Sequence, residues 1–312
     1  MQRILQPGEI EALDHTSFPR VILPVPAGLF AERAARLRQL AEGNPIADYL
    51  QFVAKIMDAQ HEAVASLSPP ELDAALIASA QQHSMPLLPA VEHIASAWQE
   101  VLDAMLDTLA GAEGLPAPLQ PLLQELRGLD TEARDDIARK LLQKEVAARH
   151  VGMAPFIMAA LQVTFTQRAA SLSVQDVPYT DPATICPVCA SEPVASVIRI
   201  GGKAAGHRYL HCGTCACEWQ MVRVKCSHCE STKGIHYQGI DGAGEAVLAE
   251  TCDECGSYRK IVNQEKDALA DPLADDLATL MLDLLMSETR FERASPNPLL
   301  FVAVAEPQEE NS

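Results

Sequence analysis

Cysteine is missing from the first 185 of the 312 residues, and all nine cysteines lie between Cys186 and Cys255. This distribution divides the chain into a cysteine-free part and a cysteine-rich part. Aromatic residues are scarce too, at 4% of the chain, whereas alanine and leucine are abundant. Because strands favour aromatic and β-branched side chains, this composition predicts helices in the cysteine-free part.

The chain also lacks the signals of export and membrane insertion. It has no apolar run of about 18 residues, the length that a membrane-spanning helix needs. The apolar run at 151–163 is interrupted by Gly152, Pro155 and Gln162 and is typical of a buried helix. No basic segment followed by an apolar stretch opens the chain, so no signal peptide is predicted. We therefore expect a cytoplasmic protein that does not insert into membranes.

Motifs for nucleotide binding and for hydrolysis are missing as well. The sequence contains no G-x-x-x-x-G-K-[ST], no G-x-G-x-x-G in a strand–helix–strand setting and no G-x-S-x-G. These motifs cradle phosphates or present a nucleophilic serine. Nothing in the sequence therefore indicates nucleotide use or hydrolysis, and we expect that the protein is not an enzyme.

Basic side chains are outnumbered by acidic ones, so the formal net charge is −18. Residues 186–266 hold nine Lys and Arg against nine Asp and Glu. Each group of four thiolates around a divalent ion would add about two negative charges to this neutral region. Sequence-independent binding to a phosphate backbone needs a surplus of Lys and Arg. We therefore expect no nucleic-acid partner.

Eight of the nine cysteines form four C-x-x-C pairs that repeat with a period of 40 residues, and 22 residues separate the two pairs of each repeat. Two such pairs turn four sulfurs toward one ion and complete a tetrahedron. In a reducing compartment, such cysteines bind metal more often than they form disulfides. The predicted ligands of the two ions are Cys186, Cys189, Cys212 and Cys215 for the first, and Cys226, Cys229, Cys252 and Cys255 for the second.

Three properties of these centres stay open at the level of sequence. The middle pairs, Cys212/Cys215 and Cys226/Cys229, could share one ion, which would nest one centre inside the other, although the repeat favours sequential pairing. Four thiolates suit zinc and a single rubredoxin-type iron equally well. Cys217, the ninth cysteine, is either a small buried residue or a thiol that exchanges with a labile site.

Polar and aromatic residues cluster around the second C-x-x-C pair. They can cover the first metal and offset the charge of its thiolates. Alternatively they can form a partner-binding surface, since Trp, Tyr and Arg dominate the hot spots of interfaces. The candidate partner-binding residues are Arg208, Tyr209, His211, Trp219 and Arg223.

The pattern along the chain predicts a multidomain protein. We expect an all-α amino-terminal domain at 1–175, followed by a first rubredoxin-like or zinc-ribbon-like metal-binding unit at 184–224. A second such unit with a C-terminal helix follows at 225–300, and a tail at 301–312 ends the chain. Because the helical domain contributes no cysteine ligand, we expect that it folds separately from the metal-binding region.

Local signals place some helix boundaries. Ser68 and Glu71 have the spacing of a capping box, and Thr131 is a candidate N-cap. Asp275 and Asp276 precede the apolar face of the C-terminal helix. Their ordinary interpretation is as negative charges at the amino terminus of that helix.

At these residues the chain resembles a known family, the formate dehydrogenase accessory proteins called FdhE. The resemblance is carried by specific motifs from about residue 184 to residue 300. The amino-terminal half resembles the family only in being a helical domain of suitable length. Its motifs are Cys186-Pro187-Val188-Cys189, Arg208-Tyr209-Leu210-His211-Cys212, Glu218-Trp219, Val222-Arg223-Val224-Lys225-Cys226, Cys252-Asp253-Glu254-Cys255-Gly256-Ser257-Tyr258, Asp275-Asp276-Leu277-Ala278-Thr279 and Asn297-Pro298-Leu299.

The resemblance implies a cytoplasmic maturation factor with rubredoxin-like modules that bind iron. Its partner would be the catalytic subunit of respiratory formate dehydrogenase, which carries molybdenum cofactor and is exported folded by the twin-arginine route. Ala190 departs from the family, which more often has glycine after the second cysteine. A homodimer is left open, and so are two rival functions: a thiol or iron redox protein acting on the client, and a zinc-ribbon nucleic-acid-binding protein.

Overall fold

The computed structural model describes residues 18–67, 73–94 and 97–301. The proposed capping box at Ser68 and Glu71 lies outside these residues, as does the predicted tail apart from its first residue. Helices dominate the described chain up to residue 170, as the composition predicted. These helices are α1 (Pro26–Ala41), α2 (Ala47–Ser66), α3 (Ala74–His83), α4 (Trp98–Gly111), α5 (Leu119–Gly128), α6 (Thr131–Leu142) and α7 (Ala154–Ala170).

Helix α7 lies at the centre of the helical part. Its residues are apolar or small around most of the circumference, so it is buried on nearly all sides. Helices α2 and α4 pack against it, and α1 packs along α2. The run at 151–163 is therefore part of a buried core. Among the described residues, no helix is long and apolar enough to cross a membrane.

Aspartates cap two of these helices. The side chain of Asp73 accepts a hydrogen bond from the backbone N–H of Ala75 at 2.8 Å, at the start of α3. Asp130 does the same for Ala133 at 2.8 Å, at the start of α6. The cap predicted at Thr131 is thus one residue too late, because the aspartate before it supplies the acceptor.

The cysteine-rich part forms one sheet of eight strands among the described residues. Along its main path the order is β1-β4-β3-β2-β7-β6-β5, with β8 beside β7. The strands are β1 (Val21–Ile22), β2 (Pro193–Ile198), β3 (Arg208–Cys212), β4 (Glu218–Gln220), β5 (Ile235–Gln238), β6 (Val247–Cys252), β7 (Ser257–Asn263) and β8 (Glu292–Arg293).

The two cysteine repeats are joined inside this sheet. Strands β2 to β4 belong to the first repeat and β5 to β7 to the second, and each set is antiparallel. Strand β2 pairs with β7 in parallel, with Ser196 opposite Ile261. The internal repeat did not predict this pairing, which makes the two metal-binding regions one continuous structure.

The helices and the first cysteine repeat share a hydrophobic core. One buried cluster contains Leu37 of α1, Phe156 of α7, Cys186, Cys212 and Leu277, all at most 1% exposed. A second, small cluster lies under the second repeat and consists of Ala249, Tyr258, Leu282, Met286 and Phe291. Since the main core is continuous, the amino-terminal helices are packed onto the first repeat and are not a body apart from it.

The predicted C-terminal helix is broken at Thr279 into α8 (Ala274–Ala278) and α9 (Leu280–Ser287). The aspartates of α8 are buried. Asp275 accepts two hydrogen bonds from Arg36, at 2.6 and 2.9 Å. Asp276 accepts two from Arg293, at 2.5 and 2.6 Å. Both aspartates lie in the first turn of α8, as the sequence predicted. They are in addition ion-pair anchors that fasten α8 to the rest of the fold.

Candidate metal centres

The first centre brings Cys186, Cys189, Cys212 and Cys215 together, and all four side chains are buried. The Sγ atoms of Cys186 and Cys215 are 3.5 Å apart, and those of Cys189 and Cys212 are 3.3 Å apart. Two backbone N–H groups of the loop, those of residues 214 and 215, point at Cys212 Sγ at 3.4 Å. Donors in this position favour a thiolate.

The second centre brings Cys226, Cys229, Cys252 and Cys255 together with the same geometry. The Sγ atoms of Cys226 and Cys255 are 3.8 Å apart, and those of Cys229 and Cys252 are 3.7 Å apart. The N–H groups of residues 228 and 229 point at Cys226 Sγ at 3.4 and 3.5 Å. Unlike the first centre, this one has two exposed ligands, Cys229 and Cys255.

These distances fit a metal ion. Bonds of about 2.3 Å in a regular tetrahedron put neighbouring sulfurs roughly 3.8 Å apart. In each centre all four sulfurs lie within 4.8 Å of one another, and the measured Sγ–Sγ separations are far longer than a disulfide bond of about 2.05 Å. The C-x-x-C pairs therefore group sequentially, and the nested arrangement is excluded. Each set of four thiols could hold one ion, and the donor set suits iron or zinc.

The residue after each C-x-x-C pair has a left-handed backbone. The φ angles are 63° at Ala190, 56° at Ala216, 63° at Glu230 and 69° at Gly256. Each of these residues donates its N–H to the carbonyl of the first cysteine in its pair, at 2.9 to 3.1 Å. This closed turn directs both sulfurs of a pair to the same side. Glycine adopts such a backbone without strain, but only one of the four positions has it.

We expect Ala190→Gly to stabilise the protein by about 0.5–1 kcal/mol. An alanine at positive φ costs roughly 1–2 kcal/mol, and the greater freedom of glycine in the unfolded chain offsets part of this gain. The matched control is Ala104→Gly on the exposed face of α4, which should destabilise by about 1 kcal/mol. Denaturant unfolding of the two variants measures the sign of the change in the free energy of unfolding for each. A loss of stability at Ala190→Gly would contradict the strained turn.

The helical part covers the first centre. Backbone N–H groups of the segment 87–90 donate to three carbonyls of the segment 187–189, at 2.7 to 3.1 Å. Gln162 of α7 donates to the carbonyl of Gly213 at 2.6 Å. Pro298 lies so close that a Cβ atom at Gly213 would be 3.0 Å from its ring. The turns of this centre are thus held by segments remote in sequence.

The candidate partner-binding residues are mostly buried. Arg208 is 1% exposed and donates to Glu250 Oε1 at 2.6 Å, to Ser196 Oγ at 2.8 Å and to the carbonyl of Lys225 at 2.8 Å. These hydrogen bonds connect β3 to β6 and to residues 222–225, the segment between the two repeats that we call the link. Because the guanidinium is enclosed, Arg208 is not part of the exposed surface in this conformation.

Tyr209 and Trp219 are buried too. The hydroxyl of Tyr209 donates to the carbonyl of Pro19 at 2.8 Å, and the indole of Trp219 donates to the carbonyl of Ala183 at 2.8 Å. These bonds hold the segment before β1 and the segment before Cys186 against the sheet. One of the two sequence interpretations places these residues over the first metal site, which stays a prediction.

His211 belongs to a buried chain of charges. Arg33 Nη2 is 2.7 Å from His211 Nε2, and His211 Nδ1 is 2.7 Å from Glu218 Oε1. Since a guanidinium only donates, Nε2 must accept, so the imidazole is neutral and Nδ1–H donates to Glu218. Burial lowers the pKa of His211, in agreement with a neutral ring. Asp271 pairs with Arg33 and Arg199 pairs with Glu218, so the chain is neutralised within itself.

Arg223 is the exposed member of the candidate set, with 52% of its side chain accessible. It lies in the link between the repeats, flanked by Val222 and Val224, which are 58% and 57% exposed. The hydroxyl of Tyr237, 47% exposed, lies 3.3 Å from the carbonyl of Arg223. These four residues form an exposed group, which we call the link surface. The other four candidates lie in the layer beneath the surface.

Cys217 is fully buried beside the first centre. Its thiol donates weakly to the carbonyl of Glu218 at 3.8 Å. The first centre already has four sulfurs, and Cys217 belongs to the shared hydrophobic core. This position agrees with the interpretation of Cys217 as a small buried residue.

Two buried cations of β7 were missed by the sequence analysis. Arg259 donates to Ser227 Oγ at 2.9 Å, between two ligands of the second centre, and also to the carbonyl of Pro193 in β2. Burial lowers the pKa of Arg259 to about 10. Lys260 donates to Asp283 Oδ2 at 2.5 Å on the other side. The sequence did contain a signal for these residues, which is that two cations are adjacent within one strand. Neighbouring side chains of a strand face opposite sides of the sheet, so both cations cannot face water when one side of the sheet is covered.

A cavity of about 570 Å³ lies between α1, β4 and the loop 268–272. Several of its charged lining residues are paired, as Arg33 is with Asp271 and Arg36 with Asp275. Glu32 lines the cavity as well. The exposed apolar side chains of Val25 and Leu269 are also among the lining residues.

Three family models match nearly the whole described chain. They are described as FdhE, N-terminal, over residues 18–181; FdhE, central domain, over 185–223; and FdhE, C-terminal domain, over 224–300. The breaks between the matches fall after the helical part and between the two cysteine repeats.

Similar proteins carry the same family name. A protein named FdhE homolog from Edwardsiella ictaluri is 42% identical over 285 residues, covering 90% of this chain and 91% of that protein. Another from Cronobacter sakazakii is 38% identical and covers 96% of this chain and 97% of its own. The crystal structure of the FdhE protein from Pseudomonas aeruginosa matches with a TM-score of 0.82 and 36% identity, over 92% of this chain and all of that one. The chain belongs to the FdhE family.

Proposed function

We propose that this chain is a non-catalytic accessory protein for the maturation of respiratory formate dehydrogenase and that it acts in the cytoplasm by binding the catalytic subunit. The observation that carries the proposal is membership of the FdhE family over nearly the full length, in a chain that keeps both sets of four cysteines. The family supports a role in formate dehydrogenase maturation.

The two centres, in this proposal, hold one ion each through the eight cysteines, with iron favoured and zinc the alternative. Four thiolates complete a tetrahedron and leave no open position for a substrate, which is the arrangement of a structural site. The ions therefore hold the sheet together and support the surfaces around it. Bound iron would in addition supply one-electron chemistry, which is the basis of the rival redox function.

The link surface is the proposed contact for the client. It combines exposed valines with Arg223 and Tyr237, and arginine and tyrosine are enriched at interaction hot spots. The buried candidates contribute from below, because Arg208 holds three carbonyls of the link at 2.8 to 3.3 Å. Metal binding on both sides of the link keeps this short segment in place.

The test of the proposal is a surface variant that leaves every cysteine intact. We expect Val224→Ser with Arg223→Ala and Tyr237→Ala to keep both ions and to bind the formate dehydrogenase catalytic subunit at least about tenfold more weakly, which corresponds to about 1.4 kcal/mol. It should also fail to restore formate oxidation in cells that lack the wild-type protein.

The matched control removes exposed apolar side chains elsewhere. Leu284→Ser with Leu285→Ser on α9 changes residues that are 59% and 42% exposed, and should bind and complement normally. Full binding by the link-surface variant would exclude this surface. If cells without any copy of the protein oxidise formate at the normal rate, the maturation role itself is wrong.

The rival functions make different predictions. A redox function that uses the bound ion requires iron, so a protein loaded with zinc at both centres should fail, whereas a scaffold should support maturation with either metal. A redox function that uses a thiol should fail in a Cys217→Ala variant that keeps both ions. A nucleic-acid-binding function requires binding to DNA or RNA at low salt, and the net charge of −18 opposes it. A homodimer also stays a prediction, which the molar mass in solution measures.

A further inference from the structure

The two centres place one donor set in two different environments within a single chain. Cys189 and Cys215 of the first centre are at most 1% exposed. Their counterparts 40 residues later, Cys229 and Cys255, are exposed. Since ligand type and spacing are the same, the difference must come from what surrounds the turns.

Residues inside the turns differ in the same way. The first centre has Val188 and Thr214, which are 1% and 5% exposed. The corresponding positions of the second centre are His228 and Glu254, both exposed. A polar residue at these places costs nothing in water, whereas burial among the helices requires small or apolar ones. The sequence of each turn thus agrees with its environment.

Among the described residues, the helical part forms hydrogen bonds with the turns of the first centre and none with the turns of the second. Segment 87–90 and Gln162 hold the turns of the first centre by hydrogen bonds from the helical part. Around the second centre, Asp253 Oδ2 is 3.2 Å from His236 Nε2 and Asp253 Oδ1 is 2.5 Å from Arg290 Nη2, and the side chains of His236 and Arg290 are 62% and 67% exposed. Both contacts lie at the surface, where polar contacts of this kind contribute little and open readily.

We propose that the second centre is an exchange site, at which the ion is taken up and released through Cys229 and Cys255, whereas the first centre keeps its ion as long as the chain is folded. The ligand from solution that binds the ion during exchange is a soft donor, namely a thiolate. An incoming thiolate binds the ion as one cysteine thiolate leaves, so the number of sulfurs on the ion and its oxidation state are unchanged. This inference concerns the metal alone and does not depend on the identity of the client.

The test follows metal release from the full-length protein loaded with two zinc ions. With an excess of a chromophoric chelator, we expect one ion to leave in a fast phase and the other at least about tenfold more slowly, the scale on which surroundings alter metal binding. Glutathione should accelerate the fast phase and leave the slow one unchanged. Release of both ions in one phase, or a fast phase insensitive to glutathione, would overturn the proposal.

A variant and a labelling experiment assign the phases. Cys226→Ser with Cys252→Ser removes the buried ligands of the second centre and should abolish the fast phase while one ion leaves slowly. Should this variant fail to fold, alkylation of the wild-type holoprotein followed by peptide mass spectrometry gives the same information. Cys229 and Cys255 should then be labelled at the rate of the fast phase. Labelling of Cys189 or Cys215 at that rate would show that the assignment is reversed.

Discussion

Replacing Cys212 and Cys215 with serine is expected to unfold the sheet and also to disrupt the packing of the amino-terminal helices. These cysteines belong to the same buried core as α1 and α7. A structural tetrathiolate ion contributes about 10 kcal/mol or more to folding, and a protein of this size is stable by about 5–15 kcal/mol in total. Losing this ion therefore removes most of the stability that holds the shared core together.

The matched control replaces Cys252 and Cys255, the corresponding ligands of the second centre. In the described part of the chain, the hydrophobic cluster under that centre is the small one around Tyr258 and Met286. We expect this variant to keep most of its helical circular dichroism and its protease resistance up to about residue 220. If the Cys212→Ser, Cys215→Ser variant has the same melting curve for its helical signal as the control, the helices fold independently of the first centre, as the sequence alone suggested.

Arg208→Ala should destabilise the protein by about 3–5 kcal/mol, although the described hydrogen bonds of its side chain go to Ser196, Glu250 and the carbonyls of the link and not to a cysteine of either centre. The substitution leaves the buried carboxylate of Glu250, 4% exposed, without its cation. It also removes the donor to three carbonyls of the link. Denaturant unfolding of the metal-loaded protein measures the loss.

Two further variants separate the ion pair from a general effect of removing arginine. Arg223→Ala takes away an exposed guanidinium nearby and should change stability by less than about 0.5 kcal/mol. Arg208→Met with Glu250→Leu replaces both charges and should recover part of the loss, since an apolar pair of similar volume is tolerated better than one unpaired charge. A loss below about 1 kcal/mol in Arg208→Ala would show that Glu250 is not held by this pair.

The partner-binding candidates show why burial is hard to predict from residue type. Trp, Tyr and Arg are frequent both at interfaces and over metal sites. Whether Arg208 is buried depends on Glu250, which is 42 residues away in the chain. Arg208 is in β3 and Glu250 is in β6, so two strands, the parallel pair β2 and β7, lie between them in the sheet. No pattern within one repeat contains that information. Arg223 is exposed only because the link crosses the surface between the two halves of the sheet.

The aspartates of α8 illustrate the same point. A carboxylate at the start of a helix is ordinarily explained by the helix dipole. Asp275 and Asp276 do lie in the first turn of α8, but they also pair with Arg36 and Arg293, which come from distant parts of the chain. Burial would raise the pKa of Asp276, but Lys260 and Arg293 outweigh this effect and hold the pKa below its usual range. Such ion pairs cannot be predicted from the sequence alone, because their partner residues are distant in the chain.

The sequence by itself determined the helical character of the first part and the grouping of eight cysteines into two sets of four. Both are properties of short range: helix formation follows from residue propensity, and the C-x-x-C turn brings two sulfurs together within four residues. The tertiary structure alone decided that the two repeats share one sheet, that the first centre lies in the core of the helices and that the second lies at the surface. Burial depends on which segments pack together, and the segments that cover the first centre come from residues 87–90, 162 and 298. The same four thiols therefore acquire two different environments.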